Sequence, residues 1–597
     1  MYRQTYLFYP AGQVEASAVC VKETDCYTRE RGYGFIVEEN GKQDPDLTLP
    51  ELNGGFLPVP WYSIPWYSIP MYSMSEDFGW EGRQIPLRFK CRVPEPGSYR
   101  IKIVIQGKEK LSDLRIFTGR RCLAAYQDEL PAGKACVREM CVEVCGIIPR
   151  GREQKYEDNC IEVAVTADRP CISRVMVEKV QCPVLYIAGD STVADQSAEY
   201  PYAPGASYAG WGQMMPCFVA GEMPVSNHAH SGLTTESFRE EGHYAIIMER
   251  GKAGDYMLFQ FGHNDQKLMH LKAQEGYLAN LERYIGECRD KGMYPLLVTP
   301  VARNSWRGSD GAYNDLLEEY AGACLELGAK LSVPVLDLHR LSMEFVLRLG
   351  KEGAKKYFFP SDYTHHNDFG AQQMAAMVCQ EIKRVCGNWK DLDDDRNREA
   401  VRNGIPSGYR WLADQIREDV QEILWDEPAC IEPLQRPEGF VAADDPEEFE
   451  EPDRPEDWLL RAEGLEMVVR RAGFFQINVY NDLLSDVIGH EWYAGTVECG
   501  LQNGIVTKDM CPDGRFRPLE PVTRLEFVLF LMTAYESRRT LPEDEPCVYD
   551  DLVSARERKL VSAACQLGVL APDGTEPLNG FISRREGARM CRNLKIM

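Results

Sequence analysis

Four short stretches of the sequence carry residue types that suit acyl-transfer chemistry. In the first, Ser191 follows residues 184–188, an apolar run without polar alternation that predicts a buried parallel strand. Because ligands bind at the carboxyl ends of strands in open α/β sheets, a serine in the following turn is a candidate nucleophile. Gly-Asp-Ser alone is a weak motif, since an Asp or Ser in such a turn can equally cap the next helix.

The other three stretches supply the groups that a serine nucleophile requires for ester hydrolysis. His365 can accept the serine proton near neutral pH, and Asp362, three residues earlier, can orient its imidazole. The backbone N–H groups of Ser191 and Gly232 and the side-chain amide of Asn264 can donate to one oxyanion. We therefore predict a catalytic set of Ser191, Asp362 and His365, with Gly232 and Asn264 in the oxyanion hole.

These stretches need a sheet that brings distant loops together. Residues 183–386 alternate apolar runs with helical patterns, which predicts a doubly wound parallel sheet of five strands. The predicted strands are 184–188, 223–226, 256–261, 295–299 and 333–338. Helices are predicted at 276–289 and 313–327, among others.

The regions on either side of this sheet differ in character. Residues 1–182 show period-2 alternation at 87–93, 101–105 and 161–165, which predicts a β-sandwich, of galactose-binding-like type. A tandem Trp-Tyr-Ser-Ile-Pro repeat at 61–74 is either an aromatic platform for sugar rings or an insertion packed on a neighbouring domain. Residues 387–455 are a charged connector.

Residues 456–597 contain an internal repeat. Arg-x-Glu occurs three times at the start of an apolar helical pattern, at Arg461, Arg524 and Arg584. A Thr or Ser precedes the second and third of these, as expected of a helix cap. We predict one helical unit used repeatedly.

Composition excludes several classes of partner. The chain has 597 residues and a formal net charge of -25, which argues against nucleic acid or an anionic membrane as the main partner. No apolar run reaches transmembrane length, and the first ten residues lack the apolar core of a signal peptide. The 21 cysteines are scattered without the spacing of zinc ligands, so reduced thiols in a cytosolic protein are expected. We expect neither a metal nor a cofactor.

Together, the four stretches resemble those of the SGNH (GDSL-type) hydrolases, most of all the rhamnogalacturonan acetylesterase branch. The matching features are Gly-Asp-Ser-Thr at Ser191, Gly-Trp-Gly at Trp211, Phe-Gly-His-Asn-Asp at Asn264 and Asp-x-Thr-His-x-Asn-x-x-Gly-Ala at 362–371. The resemblance implies a flavodoxin-like three-layer fold and metal-free deacetylation through an acyl-enzyme. It also assigns the family roles to the five residues predicted above.

The same resemblance implies three positions near the substrate: Trp211, Leu233 and His263. His263 can instead orient the loop of Asn264. The branch commonly has Arg-Ser after the glycine of the second stretch, whereas Leu233-Thr234 follows Gly232 here, so the sugar is left open. The expected substrate is an acetylated plant polysaccharide, with rhamnogalacturonan first. The alternatives are xylan-type or oligosaccharide esters, or a cell-wall carbohydrate-binding protein with a non-catalytic hydrolase scaffold.

The C-terminal repeats resemble S-layer homology modules. The matching features are Gly504-Ile505-Val506, then Asp-Gly-x-Phe-Arg-Pro and Val-Thr-Arg-x-Glu. The resemblance implies that Arg524 binds a cell-wall polymer, which predicts a cell-surface protein, whereas the expected lack of a signal peptide predicts a cytoplasmic one. The alternative role of the repeats is packing and oligomerisation. The sequence indicates no oligomeric state.

Overall fold

The structure is a computed structural model that describes most, but not all, of the chain. The described residues are 2–8, 17–22, 24–37, 49–52, 54–56, 84–149, 152–198, 202–205, 207–306, 312–359, 362–387, 408–424, 455–474, 484–487, 493–543, 545–546, 548–549 and 554–594. The predicted aromatic repeat at 61–74 lies outside them. Contacts divide the chain into two compact units, one of residues 1–302, 317–360 and 364–435 and the other of 303–316, 361–363 and 436–597.

Among the described residues, two sheets of five strands each form the N-terminal part of the first unit. Their strands are β1 (Arg3–Phe8), β2 (Ala18–Val21), β3 (Tyr33–Phe35), β4 (Leu87–Arg92), β5 (Gly97–Ile105), β6 (Leu111–Thr118), β7 (Cys122–Leu130), β8 (Cys136–Val144), β9 (Cys160–Thr166) and β10 (Arg174–Lys179). The strand order is β2-β1-β10-β5-β8 in one sheet and β3-β4-β9-β6-β7 in the other. Their neighbouring strands are antiparallel, apart from β1 and β2. The predicted N-terminal β structure is confirmed.

The inner faces of these two sheets share one apolar core. Phe89 of β4 packs against two rings of β1, at centroid distances of 4.9 Å to Phe8 and 5.2 Å to Tyr6. Along β5, Ile101, Ile103 and Ile105 are fully buried, whereas Lys102 and Val104 between them are only half-buried. This alternation follows from the two-residue period of a strand that has one face in the core.

A five-stranded parallel sheet forms the centre of the first unit. Its strands are β11 (Leu185–Gly189), β12 (Val225–Asn227), β13 (Tyr256–Gln260), β14 (Tyr294–Val298) and β15 (Val335–Leu336). They lie in the order β12-β11-β13-β14-β15, the doubly wound order in which ligands bind beyond the carboxyl ends at the switch point. The five predicted strands are confirmed, and their bounds shift by no more than two residues.

Helices connect and cover these strands. They are α1 (Trp211–Met214), α2 (Ser237–Glu240), α3 (His243–Arg250), α4 (Leu278–Asp290), α5 (Glu318–Leu331), α6 (Leu338–Ala354), α7 (Asp368–Ile382) and α8 (Gly408–Asp414). Asn367 caps α7 by accepting the N–H of Gly370 at 3.0 Å. Helix α8 falls within the predicted connector, and the Tyr409 hydroxyl donates to the carbonyl of Pro295 on β14 at 2.7 Å. This part of the connector therefore packs on the sheet.

The second unit contains a C-terminal helical region with its own apolar core. Its helices are α9 (Arg461–Arg471), α10 (Ala494–Gln502), α11 (Arg524–Glu536), α12 (Ala555–Gln566) and α13 (Arg584–Asn593). The three predicted Arg-x-Glu stretches begin α9, α11 and α13. In the described part of the chain, no helix has the length and apolar character needed to cross a bilayer.

The three Arg-x-Glu stretches form a closed ring of ion pairs. Each arginine pairs with the glutamate of another stretch: Arg461 with Glu526, Arg524 with Glu586, and Arg584 with Glu463. The arginine side chains are at most 9% exposed, so their charges are balanced inside the helical region rather than presented to solvent. Each helix start therefore depends on the other two.

We predict that Glu586→Gln loosens the helical region, because it leaves the guanidinium of Arg524 without its carboxylate. The expected loss of local stability is on the order of 3 kcal/mol, equivalent to about 100-fold faster amide exchange in α11 and α13. Hydrogen exchange of the full chain, followed by peptide mass spectrometry, measures this. The control is Glu536→Gln, whose partners Arg556 and Lys559 are largely exposed and whose expected loss is below about 1 kcal/mol. Unchanged exchange in Glu586→Gln would contradict the ring.

Candidate active site

Ser191 lies in a tight turn that follows β11. Gly189, the last residue of that strand, has no room for a side chain, because a Cβ there would lie 2.8 Å from the Gln260 carbonyl oxygen of β13. Asp190 then fixes the turn, since its Oδ1 accepts the Thr192 N–H at 2.9 Å and the Thr192 hydroxyl at 2.7 Å. The turn presents Ser191, half-buried, at the carboxyl edge of the sheet.

His365 lies against Ser191 although the two residues are 174 positions apart in the sequence. The distance from Ser191 Oγ to His365 Nε2 is 2.8 Å. With the imidazole proton on Nδ1, Nε2 accepts the hydroxyl hydrogen, which is the geometry that a general base requires. The backbone N–H of Phe359 donates to the His365 carbonyl at 2.9 Å and steadies this segment just before α7. The structure thus brings together the predicted nucleophile and the predicted base.

A buried carboxylate links the turn of Ser191 to the loop of Asn264. Oδ2 of Asp190 lies 3.3 Å from Nδ1 of His263, and Nε2 of that imidazole lies 3.0 Å from the Val301 carbonyl oxygen. Burial alone would raise the pKa of Asp190, but His263 and the hydrogen bonds from Thr192 outweigh burial and lower it below its usual value. These contacts are compatible with the alternative prediction for His263, and its role in orienting the loop stays a prediction.

Two of the three predicted oxyanion donors, Gly232 and Asn264, lie in neighbouring loops after β12 and β13. Gly232 is exposed and has φ +84°, a left-handed conformation that suits glycine. Asn264 is half-buried, and its Nδ2 donates to the Leu233 carbonyl at 3.1 Å, which ties the two loops together. An amide nitrogen carries two hydrogens, so the second is chemically suited to an oxyanion.

Asp265 is a residue of this site to which sequence reasoning gave no role. Its Oδ1 accepts the Thr235 N–H at 2.9 Å and the Thr235 hydroxyl at 2.6 Å, and its Oδ2 accepts the Gly262 N–H at 3.1 Å. Complete burial raises its pKa to about 7, although the hydrogen bonds from Thr235 oppose that rise. The carboxyl group joins the loops that carry Gly232 and Asn264. Its only sequence signal was its place in the Gly-His-Asn-Asp stretch.

The predicted substrate-contact residues Trp211, Leu233 and His263 are buried, with at most 2% of each residue exposed. The Trp211 indole donates to Gln260 Oε1 at 2.8 Å, and Gln260 Nε2 donates to the Thr192 hydroxyl at 2.8 Å. Trp211, the first residue of α1, thus contacts the turn of Ser191 through Gln260 of β13. Burial of all three side chains favours positioning of the loops over direct contact with a sugar.

Two further predicted residues lie in the second unit. Asp362 is half-buried at the start of the described segment 362–387 that carries His365, and its role in orienting the imidazole stays a prediction. Arg524 belongs to the ring of ion pairs, where it also donates to the Pro577 carbonyl. Among the described residues, no three His, Cys, Asp or Glu side chains form a group that could hold a metal ion.

Comparison with known proteins places this site in a family. Residues 187–373 match the model of the GDSL-like lipase/acylhydrolase family. The chain is 35% identical over 214 residues to rhamnogalacturonan acetylesterase RhgT of Bacillus subtilis strain 168, which is 34% of this chain and 90% of that protein. It is 32% identical over 209 residues to the probable rhamnogalacturonan acetylesterase YesY of the same strain, 34% of this chain and 93% of that protein. The uncharacterised esterase YxiM of this strain is 23% identical over 378 residues, 63% of this chain and 90% of that protein.

The chain therefore belongs to the GDSL-like lipase/acylhydrolase family, and it is an esterase of SGNH type. The predicted family and the predicted enzyme class are confirmed at this level. The matched segment spans β11 to α7 and includes Ser191, Gly232, Asn264 and His365.

We predict that Asn264→Ala lowers kcat by about 100- to 1,000-fold with little change in KM, because an oxyanion donor acts mainly in the transition state. Steady-state hydrolysis of an aryl acetate measures both constants. Gln266→Ala is the control, since this amide of the same loop donates to the His263 carbonyl at 3.2 Å. Equal kinetics in both variants would remove Asn264 from the oxyanion hole.

His228, in the loop after β12, gives the protein a defined acid sensitivity. The imidazole is buried beside the Ser226 hydroxyl at 3.0 Å, and burial, with Arg120 and Arg250, lowers its pKa from 6.5 to about 3. At pH values between these two pKa values, the imidazole is protonated in the unfolded chain and neutral in the folded chain. The stability of the fold therefore falls as the pH falls.

We predict that the stability of His228→Gln falls by about 2 kcal/mol less than that of wild type when the pH is lowered from about 7.5 to about 5, because glutamine does not titrate. Thermal unfolding at the two pH values measures the difference for each variant. The control is Gln274→Ala, at an exposed residue that does not titrate, and it should keep the wild-type pH dependence. A His228→Gln protein that is as acid-sensitive as wild type would contradict this cause.

Proposed function

We propose that this protein is a serine carbohydrate esterase that removes O-acetyl groups from a plant polysaccharide, with rhamnogalacturonan as the first candidate. The observation that carries the proposal is the 2.8 Å distance between Ser191 Oγ and His365 Nε2 at the carboxyl edge of the sheet. Its substrate class is supported by the 35% identity to a rhamnogalacturonan acetylesterase, which covers 90% of that protein.

In the proposed mechanism, Ser191 attacks the acetyl carbonyl carbon while His365 Nε2 takes the hydroxyl proton. The carbonyl oxygen becomes an oxyanion that accepts hydrogen bonds from the N–H groups of Ser191 and Gly232 and from the Asn264 amide. The imidazolium then gives its proton to the sugar oxygen as the bond between that oxygen and the acyl carbon breaks. A water molecule, deprotonated by His365, then attacks the acyl carbon, the bond between that carbon and Ser191 Oγ breaks, and the imidazolium returns the proton to Ser191 Oγ as acetate leaves. Asp362 is proposed to hold the imidazole tautomer.

An aromatic pair beside His365 supports a ring-shaped substrate. Tyr208 and Phe359 are stacked with centroids 3.5 Å apart and an interplanar angle of 10°, and both are half-buried. The Tyr208 ring also meets the imidazole of His365 edge-on at 5.7 Å. Partly exposed aromatic surface next to the base offers apolar contact for the C–H face of a sugar.

For the C-terminal helical region, we infer a packing role, and we keep the predicted S-layer homology function as the alternative. The inference is supported by Arg524, whose guanidinium bonds Glu586 at 3.0 Å and is no more than 9% exposed. An anionic polymer would have to displace that glutamate. A polysaccharide pull-down that survives removal of residues from about 450 onward would exclude the anchoring role.

We predict acetate release from acetylated rhamnogalacturonan by wild type, with a loss of at least about 1,000-fold in Ser191→Ala because the nucleophile is gone. Acetylated xylan and an aryl acetate are assayed in parallel, by direct measurement of acetate. If acetate is released only from xylan or the aryl ester, and this release is lost in Ser191→Ala, the protein is a serine esterase but the proposed pectic substrate is wrong. If no substrate gives acetate release that is lost in Ser191→Ala, the results would favour the alternative of a carbohydrate-binding protein with a non-catalytic hydrolase scaffold.

Leu233→Arg places in this loop the residue that is common in the rhamnogalacturonan acetylesterase branch, and it tests specificity in the same assay. Because Leu233 is buried, the comparison requires a variant with unchanged thermal stability. A substrate range that does not move would show that this position does not determine the sugar.

A further inference from the structure

The turn between β6 and β7 of the N-terminal sheets reaches the loops of Ser191 and His365. We propose that Arg121, at the end of this turn, is a positioning residue for the catalytic pair Ser191 and His365. The N-terminal sheets would then contribute to catalysis. The inference rests on the Ser191–His365 pair of the proposed function. It does not depend on which sugar ester is the substrate.

The Arg121 side chain is fully buried and bonds three separate loops of the hydrolase region. Nη1 donates to Oδ1 of Asp368, and Nη2 donates to the Tyr208 carbonyl. Nε donates to the Gln196 carbonyl at 3.2 Å. A guanidinium makes these bonds from three nitrogen atoms held in one rigid plane, whereas a lysine ammonium donates from a single nitrogen.

Each of these three partners leads to the catalytic pair. Asp368 is the first residue of α7, three positions after His365. Gln196 donates through Nε2 to the Ser191 carbonyl at 3.0 Å. The rings of Tyr208 and His365 are nearly perpendicular, with centroids 5.7 Å apart. A displacement of Arg121 would therefore affect Ser191 through Gln196, and His365 through both Asp368 and Tyr208.

The next residue of the turn holds the same loop. Arg120 Nε donates to Oδ2 of Asp195 at 2.9 Å, four residues after Ser191. The carbonyl of Arg120 accepts the Gln213 amide at 2.9 Å, and that amide also donates to the Gln196 carbonyl at 2.8 Å. The turn is thus bonded to the segment after Ser191 at several points.

The conformation of Arg121 is unfavourable taken by itself. Its φ is +62°, in the left-handed region that residues with a Cβ rarely adopt. Its charge is buried with that of Asp368, and burying an ion pair seldom adds net stability. Strained backbone and buried charge persist where the surroundings enforce them, and they cluster at functional sites. Positioning of the Ser191–His365 pair is a role that accounts for both features.

The test is Arg121→Lys, which keeps the charge and removes the fork. We expect kcat for an aryl acetate to fall about 10- to 100-fold, because small displacements of reacting groups have effects of that size, while KM changes less than about threefold. Labelling of Ser191 by an aryl phosphonate should slow in parallel. The control is Arg138→Lys, because Arg138 of β8 also crosses to the hydrolase region but donates to the Pro216 and Val219 carbonyls, outside the catalytic loops.

The double variant Arg121→Met, Asp368→Asn separates positioning from folding, because it removes both buried charges together. We expect it to regain the wild-type unfolding temperature to within a few degrees and to keep the low kcat. Wild-type kcat in folded Arg121→Lys would overturn the proposal, as would an equal loss in Arg138→Lys. Wild-type hydrolysis of the aryl ester without sensitivity to Ser191→Ala would instead refute the proposed function.

Discussion

The hydrogen bond between Ser191 and His365 is the constraint on which the rest of this structure depends. It joins loops 174 residues apart, at a distance of 2.8 Å. A misplacement of about 1 Å between reacting groups can cost about 100-fold in rate. The parallel sheet brings the two loops to one edge, but a sheet edge alone does not fix side chains to that tolerance. The loops themselves must be held in place by further contacts.

Buried carboxyl groups hold these loops. Asp190 fixes the turn of Ser191 and reaches His263, Asp265 joins the second and third loops through Thr235, and Asp368 begins the helix after His365. Each has donors within hydrogen-bonding distance, because a buried carboxylate without them would destabilise the fold. Hydrogen bonds are directional, whereas apolar contacts are not. Polar groups therefore fix the orientation of the loops while the apolar core supplies most of the stability.

Sequence reasoning predicted the parts of this protein that local pattern determines. Apolar runs predicted the five strands of the central sheet to within two residues of their bounds. Period-2 alternation predicted β structure before residue 182. The spacing of glycine, serine, asparagine and histidine at strand ends located the residues that the structure brings to one edge. What it missed depends on distant partners: Arg121 contacts Asp368 across 247 positions, and the ring at Arg524 requires three separate stretches. Burial of Trp211 beneath the turn of Ser191 likewise depends on Gln260 of another strand.

The most direct test of the central claim is covalent labelling with an aryl phosphonate ester, located by peptide mass spectrometry. We expect one adduct per chain, on Ser191, formed far more slowly in His365→Ala because the serine then lacks its base. An adduct on another residue of an active wild-type enzyme would contradict it. Labelling of Ser191 in His365→Ala at the wild-type rate would contradict it as well, since the 2.8 Å hydrogen bond would then have no part in activating the nucleophile.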